Sequence, residues 1–195
     1  MSLTSEATTT VAMDFVEMPS QIFENWAWNK EALSLFAKHY KTDELIPEEL
    51  LDRMIAARNL QSGNNLLQQI FYASLDLTYF DGFQPTNTNS TTKIVEKLQN
   101  EITPYSFISG THQHAAFDHL IDYSTSYYGY LWSEVYAQDM FTVFDNGGVL
   151  NPEIGYRYRK LILEKGGQED PMKMVINFIG RIPNNNAFLK SVGIE

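Results

Sequence analysis

Three short stretches of the sequence hold side chains whose types and spacing suit chemistry. The first is Asp14-Phe15-Val16-Glu17, followed by Gln21 and Glu24. Asp14 and Glu17 have the spacing of a capping box, with Asp in the place of Ser or Thr. On a helix, Glu17, Gln21 and Glu24 would share a face at i, i+4 and i+7, flanked by Phe23, Trp26 and Trp28. Acids so close to aromatics are either solvated or capping at the edge of the face, or held by a cation; spacing leaves both readings open. The second stretch, Gly110-Thr111-His112-Gln113-His114-Ala115-Ala116-Phe117-Asp118-His119, gathers three of the four histidines. His112 and His114 form a His-x-His pair that suits a transition metal, although no third donor stands at a fixed spacing. Incidental loop histidines, or hydrogen bonding to a substrate from a Gly-anchored loop, are the other readings. The third stretch places Tyr123, Tyr127 and Tyr130 at i, i+4 and i+7, one face of a predicted helix. A buried phenol without a partner costs about 1–3 kcal/mol, so a wet, hydrogen-bonding cleft stands here against plain aromatic packing.

The elements that must position these residues read as helices. Pro47-Glu48-Glu49 suits a first helical turn, and Gly63 is the expected stop of that helix. From Asn65, Leu66, Leu67, Ile70, Phe71, Ser74, Leu75, Thr78 and Tyr79 keep the repeat of one buried face. Ser90 or Asn89 caps a helix carrying Ile94, Val95, Leu98 and Ile102, closed by Pro104. Asn151-Pro152-Glu153 and Asp170-Pro171 open two more, with stops at Gly166-Gly167 and Gly180. Neither Gly147-Gly148 nor Gly166-Gly167 has the context of a phosphate loop. Apolar residues seldom alternate, so the expected fold is all-α with about seven or eight helices. We read residues 1–195 as one helical domain, with 1–7 as a tag-derived or disordered segment.

Composition narrows the partners. Lys+Arg number 14 against 24 Asp+Glu, a formal charge of −10, and no basic stripe interrupts it, which argues against a nucleic-acid partner. The chain has no Cys, which removes disulfides, thiolate metal sites and cysteine nucleophiles. No run approaches the ~18 apolar residues of a membrane span, and Met1–Thr10 has no apolar signal core. A soluble, cytoplasmic, acidic protein without a membrane partner is the expectation.

The same strings carry a family resemblance. Asp14-Phe15-Val16-Glu17-Met18-Pro19-Ser20-Gln21 with Glu24-Asn25-Trp26, then Tyr127-Tyr128-Gly129-Tyr130-Leu131-Trp132-Ser133-Glu134-Val135, are two of them. Gly148-Val149-Leu150-Asn151, Gly166-Gly167-Gln168-Glu169-Asp170-Pro171 and Phe178-Ile179-Gly180-Arg181-Ile182-Pro183 follow in order. From about Thr8 to Ile194 the chain resembles the C-terminal part of the thimet oligopeptidase family of zinc metallopeptidases, which includes neurolysin, oligopeptidase A and the dipeptidyl carboxypeptidases.

The resemblance implies a gluzincin-type helical catalytic domain that cleaves short peptides. In that family H-E-x-x-H supplies two zinc ligands and a general base, and a Glu on a following helix supplies the third ligand; that Glu matches Glu17. The zinc-bound water attacks the peptide carbonyl. His119, Tyr123, Tyr127 and Tyr130 match the loop that closes over substrate, with Tyr130 the expected oxyanion donor and His119 and Tyr123 beside it. Two departures stand out. His39, His112, His114 and His119 are the only histidines and none precedes Glu, so H-E-x-x-H is absent from these 195 residues. Where the family carries Gly-Gly between the matched His and Tyr, this chain has Leu120-Ile121-Asp122 and is one residue shorter.

The resulting expectation is a C-terminal fragment of a metallo-oligopeptidase whose H-E-x-x-H lies on a missing upstream segment. Zinc then belongs to the full-length enzyme, and this chain alone is expected to be inactive and to hold none tightly. A non-catalytic helical peptide-binding module is the alternative; an acidic structural protein accounts for the composition and not for the strings. Without an upstream helix, Phe15, Ile22, Phe23 and Trp26 or their neighbours are expected to lose their partner, the bare face being covered by self-association or by the first ~25 residues moving away from the family position.

Overall fold

Side-chain caps start several of the helices. Ser90 Oγ accepts the Lys93 N–H, Asn151 Oδ1 the Glu153 N–H, and Asp170 Oδ1 the Lys173 N–H. Each satisfies an amide that the first helical turn leaves open. The computed structural model describes residues 11–86 and 90–194. The readings for residues 1–7, and for Asn89 as a cap, lie outside them.

The described residues are helical in the expected class and form no strand, only a lone antiparallel bridge between Lys38 and Leu45. Ten α-helices are described: α1 (Met18–Glu24), α2 (Lys30–Ser34), α3 (Glu48–Ala56), α4 (Ser62–Phe80), α5 (Thr91–Ile102), α6 (His119–Asp122), α7 (Gly129–Gly147), α8 (Pro152–Tyr158), α9 (Pro171–Ile179) and α10 (Asn186–Ser191). The count exceeds the expected seven or eight because several are single turns. A wide five-residue π turn, Arg159–Leu163, follows α8 directly.

Two readings of helix ends change. Gly63 does not stop α3; it is the second residue of α4, and the break falls at Gln61, whose backbone is left-handed at φ 67°. Asp14 does not cap α1: the helix begins at Met18, Glu17 is the flanking residue, and no side chain closes its first turn. Pro19 in that turn has no N–H to satisfy, which lessens the need for a cap. Gly180 closes α9 at φ 79°, as its position predicts.

The chain divides into two compact units, one of residues up to Leu60 with those from Trp132 onward, the other Gln61–Leu131. In the first unit, Phe15, Met18 and Ile22 pack with Tyr136, Met140, Phe144, Tyr158, Ile162, Met174, Val175 and Phe178. Phe15 and Ile22 are therefore covered by the chain's own helices and not bared; Phe23, 52 % exposed, is the one that faces out. Trp26 donates its indole N–H to the Val149 carbonyl at 2.8 Å and meets Phe141 and Phe144 edge-on. Buried Asp139 of α7 accepts from the Arg181 guanidinium through both oxygens and from the Asn184 N–H at 3.0 Å. In the second unit, Phe71, Leu75 and Val95 join α4 to α5, with Tyr72, Leu98 and Phe117 packed around them.

Candidate active site

His119 opens α6, and its Nε2 lies 3.1 Å from the Tyr130 hydroxyl in the first turn of α7. Between them the chain makes a set of tight turns. Tyr123 N–H donates to the His119 carbonyl, Ser126 N–H to Tyr123, Gly129 N–H to Ser126, and Tyr130 N–H to Tyr127. Tyr123, Tyr127 and Tyr130 therefore do not share one helix face, as their spacing predicts. The turns bring them together instead. Ring centres lie 5.5 Å apart for Tyr123 and Tyr130, 5.1 Å for Tyr127 and Tyr130, and 5.0 Å for His119 and Tyr127. All four sequence-predicted residues of this stretch meet in one cluster within the second unit.

The cluster is not a wet row of equal phenols. Tyr127 is buried, and its hydroxyl donates to Gln69 Oε1 at 3.1 Å. Burial, with Tyr72 and Tyr130 alongside, raises its pKa to about 12, so the hydroxyl stays a neutral donor. His119, Tyr123 and Tyr130 are half-buried, within reach of both solvent and the cluster. One helix supports the group from beneath. Gln69, Tyr72 and Asp76 of α4 fall at i, i+3 and i+7, and Tyr72 packs on Phe117 and Tyr127. Sequence reasoning passed over these three. The signal was a carboxylate and an amide set among the apolar positions of a core helix.

His112 and His114 make a different set of contacts. Their rings are 6.1 Å apart, and they hydrogen-bond to Thr92 and Thr91, the first residues of α5. Burial, then the neighbouring His112, lowers the His114 pKa.

Glu17 belongs to the other unit. It is half-buried at the start of α1, on a cavity of about 430 Å³ walled mainly by Val11, Phe15, Val16, Pro19, Ile162 and Leu163. A catalytic zinc needs about three protein ligands. Among the described residues no three His, Asp or Glu side chains are gathered where one ion could be held. The donors these residues supply do not by themselves fit a zinc site. No helix of the described residues is long and apolar enough to cross a membrane.

The model of peptidase family M3 matches residues 2–194. The chain belongs to that family. It is 38 % identical over 189 residues to the thimet-like oligopeptidase of Dictyostelium discoideum, and 36 % over 187 residues to oligopeptidase A of Escherichia coli. Saccharolysin of Saccharomyces cerevisiae matches at 35 % over 189 residues. These alignments cover 95 % of this chain but only 26–28 % of each relative, so the chain spans little more than a quarter of the length of the curated relatives it matches.

Proposed function

We propose that this chain is the substrate-closing, C-terminal part of a zinc metallo-oligopeptidase that hydrolyses short peptides. The observation that carries the reading is the His119–Tyr130 contact, set among Tyr123 and Tyr127, in a member of a peptidase family. Tyr130 Oη is the donor to the carbonyl oxygen as it gains charge. Preorganised donors of this kind act in the transition state more than in the bound substrate. His119 orients that hydroxyl and, with Tyr123, binds the peptide backbone near the bond to be cut. Tyr127 fixes the wall behind them through Gln69.

Glu17 is one ligand of zinc in this reading, and H-E-x-x-H comes from a segment outside these residues. The chain alone is inactive for that reason. The test is to express the chain both alone and joined to an upstream segment that supplies H-E-x-x-H, and to assay each with a quenched fluorescent peptide. Chelator-sensitive cleavage only by the joined form supports the proposal. Peptide binding with no cleavage by either form would leave the non-catalytic binding module.

A further inference from the structure

We propose that Asp76 is the positioning residue of this site, holding the His119–Tyr130 segment in shape through two backbone amides. Its carboxylate is fully buried on α4. Oδ1 accepts the Thr125 N–H at 2.9 Å and Oδ2 accepts the Tyr127 N–H at 3.0 Å. Both oxygens are thus spent on a single loop, two residues apart in the chain.

The conformation held there is a costly one. Thr125 stands at φ 64°, and a β-branched residue in the left-handed region is strained. Strain of this kind persists only where neighbours over-determine it, and the paired carboxylate bonds do so. Charge-assisted bonds to backbone N–H groups are the stronger class. The chain of turns runs from the held amides to the chemistry. Tyr127, fixed at its N–H by Asp76 and at its hydroxyl by Gln69, accepts the Tyr130 N–H through its carbonyl at 3.3 Å. Upstream, Ser126 N–H bonds Tyr123, and Tyr123 N–H bonds His119. Release of Asp76 therefore frees both ends of the His119–Tyr130 contact. Leu120-Ile121-Asp122 contains no glycine and adds no such freedom. The role rests on the reading of Tyr130 and His119 given above.

Amide exchange by NMR on the 195-residue chain provides a test that needs no substitution. The Thr125 and Tyr127 N–H groups should exchange at least about tenfold slower than unprotected amides. Exchange of both at the unprotected rate overturns the proposal. Asp76→Asn, which sets an NH2 group against one of the two amides, should speed exchange across residues 119–130 by about tenfold and leave α9 unchanged. Adding Thr125→Gly, which takes a positive φ freely, should restore part of that protection. General loss of protection in both units, or no rescue, makes Asp76 an ordinary structural carboxylate and overturns the role. In the joined, zinc-loaded peptidase, Asp76→Asn should lower kcat by about tenfold with KM little changed, and by no more than about twofold once Tyr130→Phe is present. Additive losses overturn the coupling. Should Tyr130→Phe alone leave kcat unchanged, the oxyanion reading fails, and the exchange data still decide Asp76.

Discussion

The His119 imidazole and the Tyr130 hydroxyl meet at 3.1 Å across the boundary of two helices, α6 and α7, eleven residues apart in sequence. Neither helix alone sets the distance. The turn between them does, and the expected consequences of changing its members follow from that.

Tyr130→Phe in the joined peptidase should lower kcat by about 10²–10³ and leave KM within a few-fold, since loss of one oxyanion donor costs about 2.7–4 kcal/mol. Steady-state kinetics on a short fluorogenic peptide measure this. A kcat within about twofold of the parent moves the donor role to Tyr123 or His119.

The isolated chain should retain no stoichiometric zinc after dialysis and show no chelator-sensitive cleavage. Glu17 contributes one carboxylate to a cavity with mainly apolar walls, far short of the ligand number a catalytic zinc uses. Elemental analysis of the dialysed protein is the measurement. One zinc per chain, lost on Glu17→Gln, would contradict the expectation.

Arg181→Met should destabilise the chain by about 3 kcal/mol. Asp139 is buried and loses its cationic partner, while Arg181 itself is partly in solvent, which holds the cost to the low end of the range for broken buried pairs. Urea denaturation read at the tryptophans reports it. A change below about 1 kcal/mol would mean the Asn184 N–H alone suffices for the carboxylate.

Glu134→Gln should stabilise the chain at neutral pH. Desolvation raises the Glu134 pKa first of all; Gln138 and Arg58 oppose the rise and Glu24 adds to it. A carboxyl with a raised folded-state pKa binds more protons folded than unfolded, so its cost to stability appears as pH rises from the ordinary carboxyl value and is full above the raised one. The Gln variant keeps an acceptor for the Gln138 amide, bonded at 2.6 Å in the parent. Thermal melts of both proteins between pH 4 and 7 should diverge as pH increases. Parallel curves would contradict the burial argument.

What the sequence made legible was local. Ser90, Asn151 and Asp170 cap because an oxygen two or three residues ahead of an open amide acts wherever the chain goes next. The family strings reached further, and their His119 and tyrosines do converge. What stayed hidden depends on distant partners. Asp139 finds Arg181 across 42 residues, and Asp76 finds the Thr125 amide across 49. A helical reading of Tyr123, Tyr127 and Tyr130 failed because Thr125 turns left-handed between them, where the distant Asp76 accepts its N–H. The Asp14–Glu17 spacing misled for a simpler reason: α1 begins only at Met18, with Glu17 at its flank and Pro19 in its first turn.

The division of the chain also bears on the order in which it can fold during synthesis. Gln61–Leu131 is continuous, and its core of Phe71, Leu75 and Val95 is complete once Phe117 has left the ribosome. The other unit is not. Asp14 waits for the Ser133 hydroxyl, Trp26 for the Val149 carbonyl, and Asp139 for Arg181. At about 5–20 residues per second, the wait from Trp26 to Val149 lasts on the order of ten seconds, during which Phe15, Met18 and Ile22 lack the partners they have among Tyr136 to Phe178. A nascent chain stalled before Val149 should therefore carry a protease-resistant Gln61–Leu131 preceded by a cleavable segment over residues 11–60.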